Sequence, residues 1–142
     1  VKIRYEPTYF PARNVHIGIV ADASYQLSPD LSIELWEGEQ ATKLIVFDAK
    51  YRSEMEEGRQ IFLREDVEKM DHYFRRLRWK TNDPRQRPRA IVSSAYVLYP
   101  GDVLEYDVER PESGALPLVP ATENPRLMIQ ALLQIVKSSG VI

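Results

Sequence analysis

Two carboxylates and one ammonium group stand at the ends of apolar segments between Pro29 and Arg52. Asp30 follows Pro29, whereas Asp48 and Lys50 follow the continuously apolar run at 44–47. Paired carboxylates suit a hard divalent cation such as Mg²⁺ or Mn²⁺, and they repel each other without one. A neighbouring lysine can offset charge that develops on a phosphate and can position an attacking water. These residue types therefore predict metal-dependent chemistry on a phosphate, if the fold brings them together.

A β-hairpin is predicted to do so. Polar and apolar residues alternate over 31–36, as in a strand with one buried face, and 44–47 is typical of a central strand covered on both faces. The polar segment 37–43, with Gly38, predicts the turn between them. In an antiparallel hairpin the start of one strand faces the end of the next, so position 30 is expected beside positions 48 and 50. Side chains 48 and 50 point to one face, and the Ala49 carbonyl oxygen remains available as a ligand.

The remaining segments predict an α/β fold with a mixed sheet. Apolar residues recur at three- and four-residue steps over 65–80, which predicts one amphipathic helix. Asn124 as N-cap and Pro125 at the first helical position predict a second helix over 127–136. Strands are predicted at 1–5, 15–21, 90–99 and, at an edge, 103–108, with a loop at 81–88 and an irregular segment at 111–120.

Length and composition limit the classes of protein. The 142 residues suit a single domain, 1–142, and a chain that begins at Val1 is expected to be a fragment of a longer protein. No apolar run approaches the length of about 18 residues that a membrane span needs. The absence of cysteine excludes disulfides, thiolate metal sites and a cysteine nucleophile, and it fits a reducing cytoplasm.

Positive charge is concentrated between positions 75 and 89, where Asp83 is the only acid. A local concentration of this kind can form a phosphate-binding face. The alternative is a solvated helix end and loop, which charge alone slightly favours. The seven basic residues are Arg75, Arg76, Arg78, Lys80, Arg85, Arg87 and Arg89.

The order of these motifs resembles the PD-(D/E)XK nuclease superfamily. Pro29-Asp30, the hairpin and Asp48-Ala49-Lys50 match its signature, and the segments 48–52, 66–73, 94–101 and 115–120 resemble McrC-like nuclease domains of modification-dependent restriction systems and related DUF-type proteins. The resemblance covers most of the chain from Pro29 onward. It implies a restriction-endonuclease-like three-layer core, in which helices flank a central mixed sheet.

The resemblance also implies metal-dependent hydrolysis of phosphodiester bonds in DNA. Asp30, Asp48 and the Ala49 carbonyl would be ligands of Mg²⁺ or Mn²⁺, and Lys50 would be the catalytic lysine. The helix after the motif would add a polar residue, for which Lys69 and Tyr73 are favoured over Asp66, and the basic stretch 75–89 would hold the DNA backbone. Restriction systems of this kind imply a nucleotide-driven motor or recognition subunit as partner. The oligomeric state stays open, with a dimer among the options.

One departure from the superfamily keeps a second function open. Many members carry an acidic residue on a helix before the hairpin, and no helix is predicted before Asp30. Either that helix precedes Val1, or Glu6 or Asp22 takes its place. A catalytically inactive nuclease-fold module for nucleic-acid binding or assembly is therefore the alternative. A carboxylate-pair glycosidase is a third hypothesis, which Lys50 and the basic stretch disfavour.

Other candidate residues carry weaker signals. His16 and His72 are isolated from each other and do not make a zinc site. Trp36 and Trp79 could stack on bases, although tryptophans more often pack against the protein itself.

Overall fold

The computed structural model describes residues 1–50, 53–101 and 113–117, together with positions 133, 134 and 137. A five-stranded mixed sheet forms its centre, in the order β1-β3-β4-β9-β10. Its strands are β1 (Lys2–Tyr5), β3 (Leu31–Glu37), β4 (Gln40–Ala49), β9 (Val92–Tyr99) and β10 (Ser113–Pro117). A second sheet contains β2 (Gly18–Ala21), β7 (Leu77–Lys80) and β8 (Arg89–Ala90), and a separate hairpin contains β5 (Glu54–Glu56) and β6 (Arg59–Ile61).

The predicted hairpin is present as β3 and β4, which pair antiparallel from Leu31↔Phe47 to Glu37↔Gln40. Its turn is tighter than predicted, because β4 begins at Gln40 rather than after position 43. Gly38, with φ 61°, adopts the left-handed backbone that so short a turn needs.

The central sheet is apolar on both faces. Leu44 and Val46 of β4 belong to the larger core, on which helix α1 (Arg64–Arg76) packs. Ile45 and Phe47 point to the other face, with Tyr96 of β9. Strand β4 pairs antiparallel with β3 and parallel with β9, and this confirms the predicted α/β class with a restriction-endonuclease-like mixed sheet.

The predicted helix over 65–80 is too long. It ends at Arg76, and Leu77–Lys80 form strand β7, which pairs with β2 in the register Ala21↔Leu77 to Gly18↔Lys80. Buried Leu77 and Trp79 alternate with half-buried Arg78 and Lys80, which is a period of two. The apolar spacing to Leu77 also fits a helix, so tertiary pairing decides the conformation of this segment.

Other boundaries also differ from the predictions. Strand β2 begins at Gly18 rather than Val15, and the hairpin β5–β6 was not predicted. Part of the segment 111–120, predicted as irregular, forms β10, because Ser113–Pro117 pair in parallel with β9. The predicted edge strand 103–108 lies outside the described residues, as does the predicted helix 127–136 except for positions 133 and 134, which are helical.

Candidate active site

The β3–β4 register brings Asp30, Asp48 and Lys50 together at one end of the central sheet. Because Leu31 pairs with Phe47, position 30 lies opposite position 48. The Asp30 carboxylate accepts a hydrogen bond of 2.6 Å from the Ala49 backbone N–H. The Lys50 ammonium nitrogen lies 2.7 Å from Asp48 Oδ2. The predicted convergence of these three side chains is therefore present.

Asp48 is the electrostatic centre of this cluster. Burial raises the pKa of its carboxyl group, since only 7% of the residue is exposed, and the neighbouring Asp30 carboxylate raises it further. The hydrogen bond and charge of Lys50 act in the opposite direction without cancelling the effect. Two carboxylates thus lie close together with one ammonium group bound to Asp48, and Lys50 does not fully offset the effect of burial and of Asp30 on Asp48.

The Ala49 carbonyl points to the Asp30 side of the strand. The Lys50 N–H donates to the Leu98 carbonyl of β9 at 2.7 Å, so it points towards β9. In a trans peptide the carbonyl points opposite to the N–H, and the described chain contains no cis peptide. Two carboxylates and one backbone oxygen therefore lie on the same side.

Helix α1 adds Tyr73 to the cluster. The phenol is partly buried, and burial raises its pKa, as do the charges of Asp48 and Asp30. A tyrosine in this position stays protonated well above neutral pH and donates a hydrogen bond to the Asp48 carboxylate. Of the three predicted helix residues, Tyr73 is the one that the structure places against the carboxylates.

The other two helix candidates are placed differently. Lys69 lies one turn before Tyr73 and is exposed, so its ammonium group is free to reach a ligand outside the cluster. Asp66 lies in the first turn of α1 and is buried, with 1% of the residue exposed. Its carboxyl group therefore does not face solvent.

Neither substitute for the upstream acid joins the carboxylates directly. The Glu6 backbone N–H donates to the Asp30 carbonyl at 2.8 Å, but the Glu6 side chain is exposed. Asp22 lies 3.7 Å from the Arg78 guanidinium instead. Residues 1–29, all described, contain only a 3₁₀ turn at Ala12–Asn14 as helical structure. Among the described residues, no group of three or more histidine, aspartate or glutamate side chains is arranged to hold a metal ion.

Several of the seven basic residues at 75–89 bind the protein's own backbone. Lys80 donates to the carbonyls of Ala12 and Val15 at 2.6 and 2.7 Å, and Arg89 donates to the Ala41 carbonyl at 2.9 Å. Arg78 donates to the carbonyls of Arg75 and Pro88, and Arg76 to that of Asp22. Arg75 pairs with Asp71, Arg85 pairs with Asp83, and Arg87 is exposed. The stretch is thus partly structural, and its exposed members are Arg75, Arg76, Arg85, Arg87 and Arg89.

The alternation in β3 wrongly predicts a solvated polar face. Glu34 is 3% exposed and its carboxylate accepts hydrogen bonds from Tyr9 Oη at 3.1 Å, Trp36 Nε1 at 2.9 Å and Arg4 Nε at 3.4 Å. Ser32 is also buried, 2.7 Å from the Tyr9 hydroxyl. Only Trp36 is close enough in the chain for a sequence pattern to suggest its contact with Glu34.

Comparison with known proteins finds a family model that matches the chain. A family model described as the PD-(D/E)XK nuclease superfamily matches residues 1–103, a range that contains Asp30, Asp48, Lys50 and Tyr73. No curated protein and no solved structure shows significant similarity to the chain. Within the described residues, no helix has both the length and the apolar character to cross a membrane.

Proposed function

The chain belongs to the PD-(D/E)XK nuclease superfamily, and on this premise we propose that it is a metal-dependent endonuclease that hydrolyses phosphodiester bonds in DNA. The observation that carries the proposal is the convergence of Asp30, Asp48 and Lys50 at one end of the sheet. A structural role alone would not require a half-buried pair of carboxylates with a raised Asp48 pKa.

The donor set fits a hard divalent cation. Asp30, Asp48 and the Ala49 carbonyl offer oxygen ligands on one side of β4, and the negative charge of the pair exceeds what Lys50 balances. We therefore propose Mg²⁺ or Mn²⁺ as the cofactor. When bound, such a cation supplies Lewis-acid stabilisation of charge on a phosphoryl oxygen and helps to activate water.

Lys50 would act on the phosphate and the attacking water, and Tyr73 would act on the Asp48 carboxylate. The Lys50 ammonium group is held by Asp48 yet 31% exposed, so it can orient a water and offset charge on the phosphoryl oxygens. Tyr73 stays protonated, and its hydrogen bond to Asp48 would hold that carboxylate in place. The exposed Lys69 would contact a neighbouring phosphate one helical turn away.

The exposed arginines at 75–89 would bind the DNA backbone. Hydrogen bonds from guanidinium groups to backbone carbonyls leave the positive charge in place, so Arg76 and Arg89 can still attract phosphates. Arg85 and Arg87 lie on the exposed loop between β7 and β8. Such contacts give affinity rather than choice of sequence.

The biological setting follows from the family resemblance. We propose a single nuclease domain over 1–142 that serves as the cleavage module of a restriction or defence system in the cytoplasm. A nucleotide-driven motor or recognition subunit would then select the DNA.

A plasmid cleavage assay tests the proposal. We expect the wild-type chain to nick or linearise plasmid DNA with Mg²⁺ or Mn²⁺, and we expect chelator to stop the reaction. Asp48→Ala and Lys50→Ala should abolish it, whereas Asp71→Ala, a matched change in an exposed acid that pairs with Arg75, should not. Cleavage that survives both site substitutions would show that the assigned site is wrong.

A catalytically inactive nuclease-fold module is the second candidate. It is favoured by the absence of a third carboxylate at the site among the described residues. This module would bind the plasmid with an affinity that falls as salt rises, and it would leave the plasmid intact with either metal.

A further inference from the structure

A cavity of about 400 Å³ lies between β1, the segment that follows it, and β3. Its lining includes Arg4, Tyr5, Tyr9, Glu34 and Trp36. Ser32 is opposite Val46 in the β3–β4 register, so the even-numbered positions of β3 share the face of the sheet that carries Asp48. The cavity therefore opens on the same face as the candidate active site.

Glu34 organises the polar wall of this cavity. Its buried carboxylate binds Arg4 through Nε alone, and no other partner of the Arg4 guanidinium is found in the described part of the chain. The Arg4 side chain is 50% exposed. Its two terminal nitrogens are thus open to an acceptor with two oxygens, such as a phosphate.

Part of the cavity wall is aromatic and its rim is cationic. The Trp36 ring forms part of the wall, and the Lys2 ammonium nitrogen lies 3.9 Å from the centre of that ring. Flat aromatic surface beside paired cations matches a ligand that combines a planar base with a phosphate.

The distance from the cavity to the candidate active site matches the length of a few nucleotides. Glu34 is four residues from Asp30 along β3, which is about 13 Å at the rise of a strand. That length corresponds to a few nucleotides, given a rise of about 3.4 Å per nucleotide in duplex DNA.

We propose that this cavity binds one nucleotide of the substrate strand, a few positions from the cleaved bond. The base lies against Trp36, and its phosphate lies on the Arg4 guanidinium. This inference rests on the proposed function, because it places the nucleotide relative to the bond that the carboxylates would cleave. Its consequence is that cleavage depends on a base at one fixed distance from the cut.

A cleavage ladder tests the fixed distance. End-labelled DNA with a single abasic site is digested with Mg²⁺, and the products are mapped by length. We expect cleavage to fall about tenfold at one bond, at a constant distance from the abasic site, as expected from the loss of one stacked base. The gap should disappear in Arg4→Met and persist in Arg13→Met, an exposed arginine that binds the Ser24 carbonyl instead. A ladder with no such gap overturns the proposal.

A binding measurement without metal separates this inference from the cleavage proposal. In Trp79→Phe, Trp36 is the remaining tryptophan, so its fluorescence reports on the cavity. We expect a DNA oligonucleotide to change this fluorescence and to bind about tenfold more tightly than a wholly abasic oligonucleotide of equal charge. Equal binding of the two oligonucleotides overturns the inference.

Two further outcomes are informative. A free deoxynucleoside monophosphate that binds as tightly as the oligonucleotide would mark the cavity as a site for free nucleotides and overturn its role in the substrate strand. Base-dependent binding by a chain that never cleaves DNA would support the cavity and overturn the cleavage proposal.

Discussion

Two buried carboxylates on the same face of the central sheet have opposite electrostatic surroundings. Glu34, in the middle of β3, accepts hydrogen bonds from three side chains, none of which is acidic. Asp48, at the end of β4, faces Asp30 and has Lys50 as its ion-pair partner. Both carboxylates are shielded from water, yet of the two it is Asp48 that shares its site with a second carboxylate.

The difference separates a structural carboxylate from a functional one. Burial of an acid costs free energy unless hydrogen bonds or opposite charge compensate it. At Glu34 the compensation comes from within the protein, so the group fixes the positions of Arg4, Tyr9 and Trp36. At Asp48 the compensation is incomplete, which leaves a place for a cation from outside. Substitutions at these two carboxylates and at their neighbours test this contrast.

The largest expected effect is on catalysis at the Asp30 end of the strand. We expect Asp30→Asn to lower the cleavage rate at saturating DNA about 1,000-fold, because an amide removes the charge that would hold a cation. An asparagine oxygen can still accept the Ala49 N–H, so the fold should persist. Glu37→Gln, the same chemical change in an exposed glutamate of the neighbouring strand, is the control and should leave the rate unchanged. Equal losses in the two variants would show that Asp30 has no special role in cleavage.

Stability should show the reverse order. Glu34→Ala leaves the Tyr9 hydroxyl, the Trp36 N–H and the Arg4 guanidinium without their acceptor, so we expect the free energy of unfolding to fall by about 3 kcal/mol. Glu37→Ala, in an exposed glutamate of the same strand, should change it by less than about 0.5 kcal/mol. Urea denaturation of both variants measures this difference, and similar losses would argue against a structural role for the Glu34 network.

The same contrast explains which parts could be predicted from the sequence. The convergence of positions 30, 48 and 50 depends on one local hairpin, and strand alternation with a short turn determines its register. The Glu34 network depends on Arg4 and Tyr9, which are 30 and 25 residues away in the chain, and no periodicity indicates those contacts.

Competing patterns explain the remaining errors. The apolar residues up to Leu77 continue the helical spacing, while pairing with β2 makes Leu77–Lys80 a strand. As a result, Lys80, predicted to hold DNA, binds the carbonyls of Ala12 and Val15. Tyr73 could be predicted because it lies on a stripe of polar residues beside the apolar face of the helix. The burial of Asp66 depends on tertiary packing, which the stripe does not indicate.

A smaller effect is expected at Tyr73, which connects the helix to the carboxylates. Tyr73→Phe keeps the ring and removes the hydroxyl, so we expect cleavage to slow about tenfold through loss of the hydrogen bond that holds Asp48. Because the pKa of Tyr73 is raised, the wild-type rate should not fall through ionisation of this group at mildly alkaline pH. Tyr25→Phe, in an exposed tyrosine, is the control and should leave the rate unchanged. A rate for Tyr73→Phe equal to wild type would remove the phenol from the mechanism.

The smallest effect is a gain in stability from Asp48→Asn in metal-free solution. The folded-state pKa of Asp48 is raised above its unfolded value of 3.8, so the folded state binds more protons between the two values. Wild-type stability therefore falls as pH rises through that window, and the cost persists at higher pH. An asparagine at this position carries no such cost, so we expect Asp48→Asn to be more stable than wild type at neutral pH and equally stable below pH 3.8.

Divalent cation should reverse that order, because Mg²⁺ that binds only the folded wild type stabilises it and leaves Asp48→Asn unchanged. Thermal unfolding at several pH values, with and without Mg²⁺, measures both effects. A variant that is less stable than wild type at neutral pH without metal would mean that Lys50 and Tyr73 already compensate the Asp48 charge. The contrast with Glu34 would then disappear, and with it the physical reason for a cation at this end of the sheet.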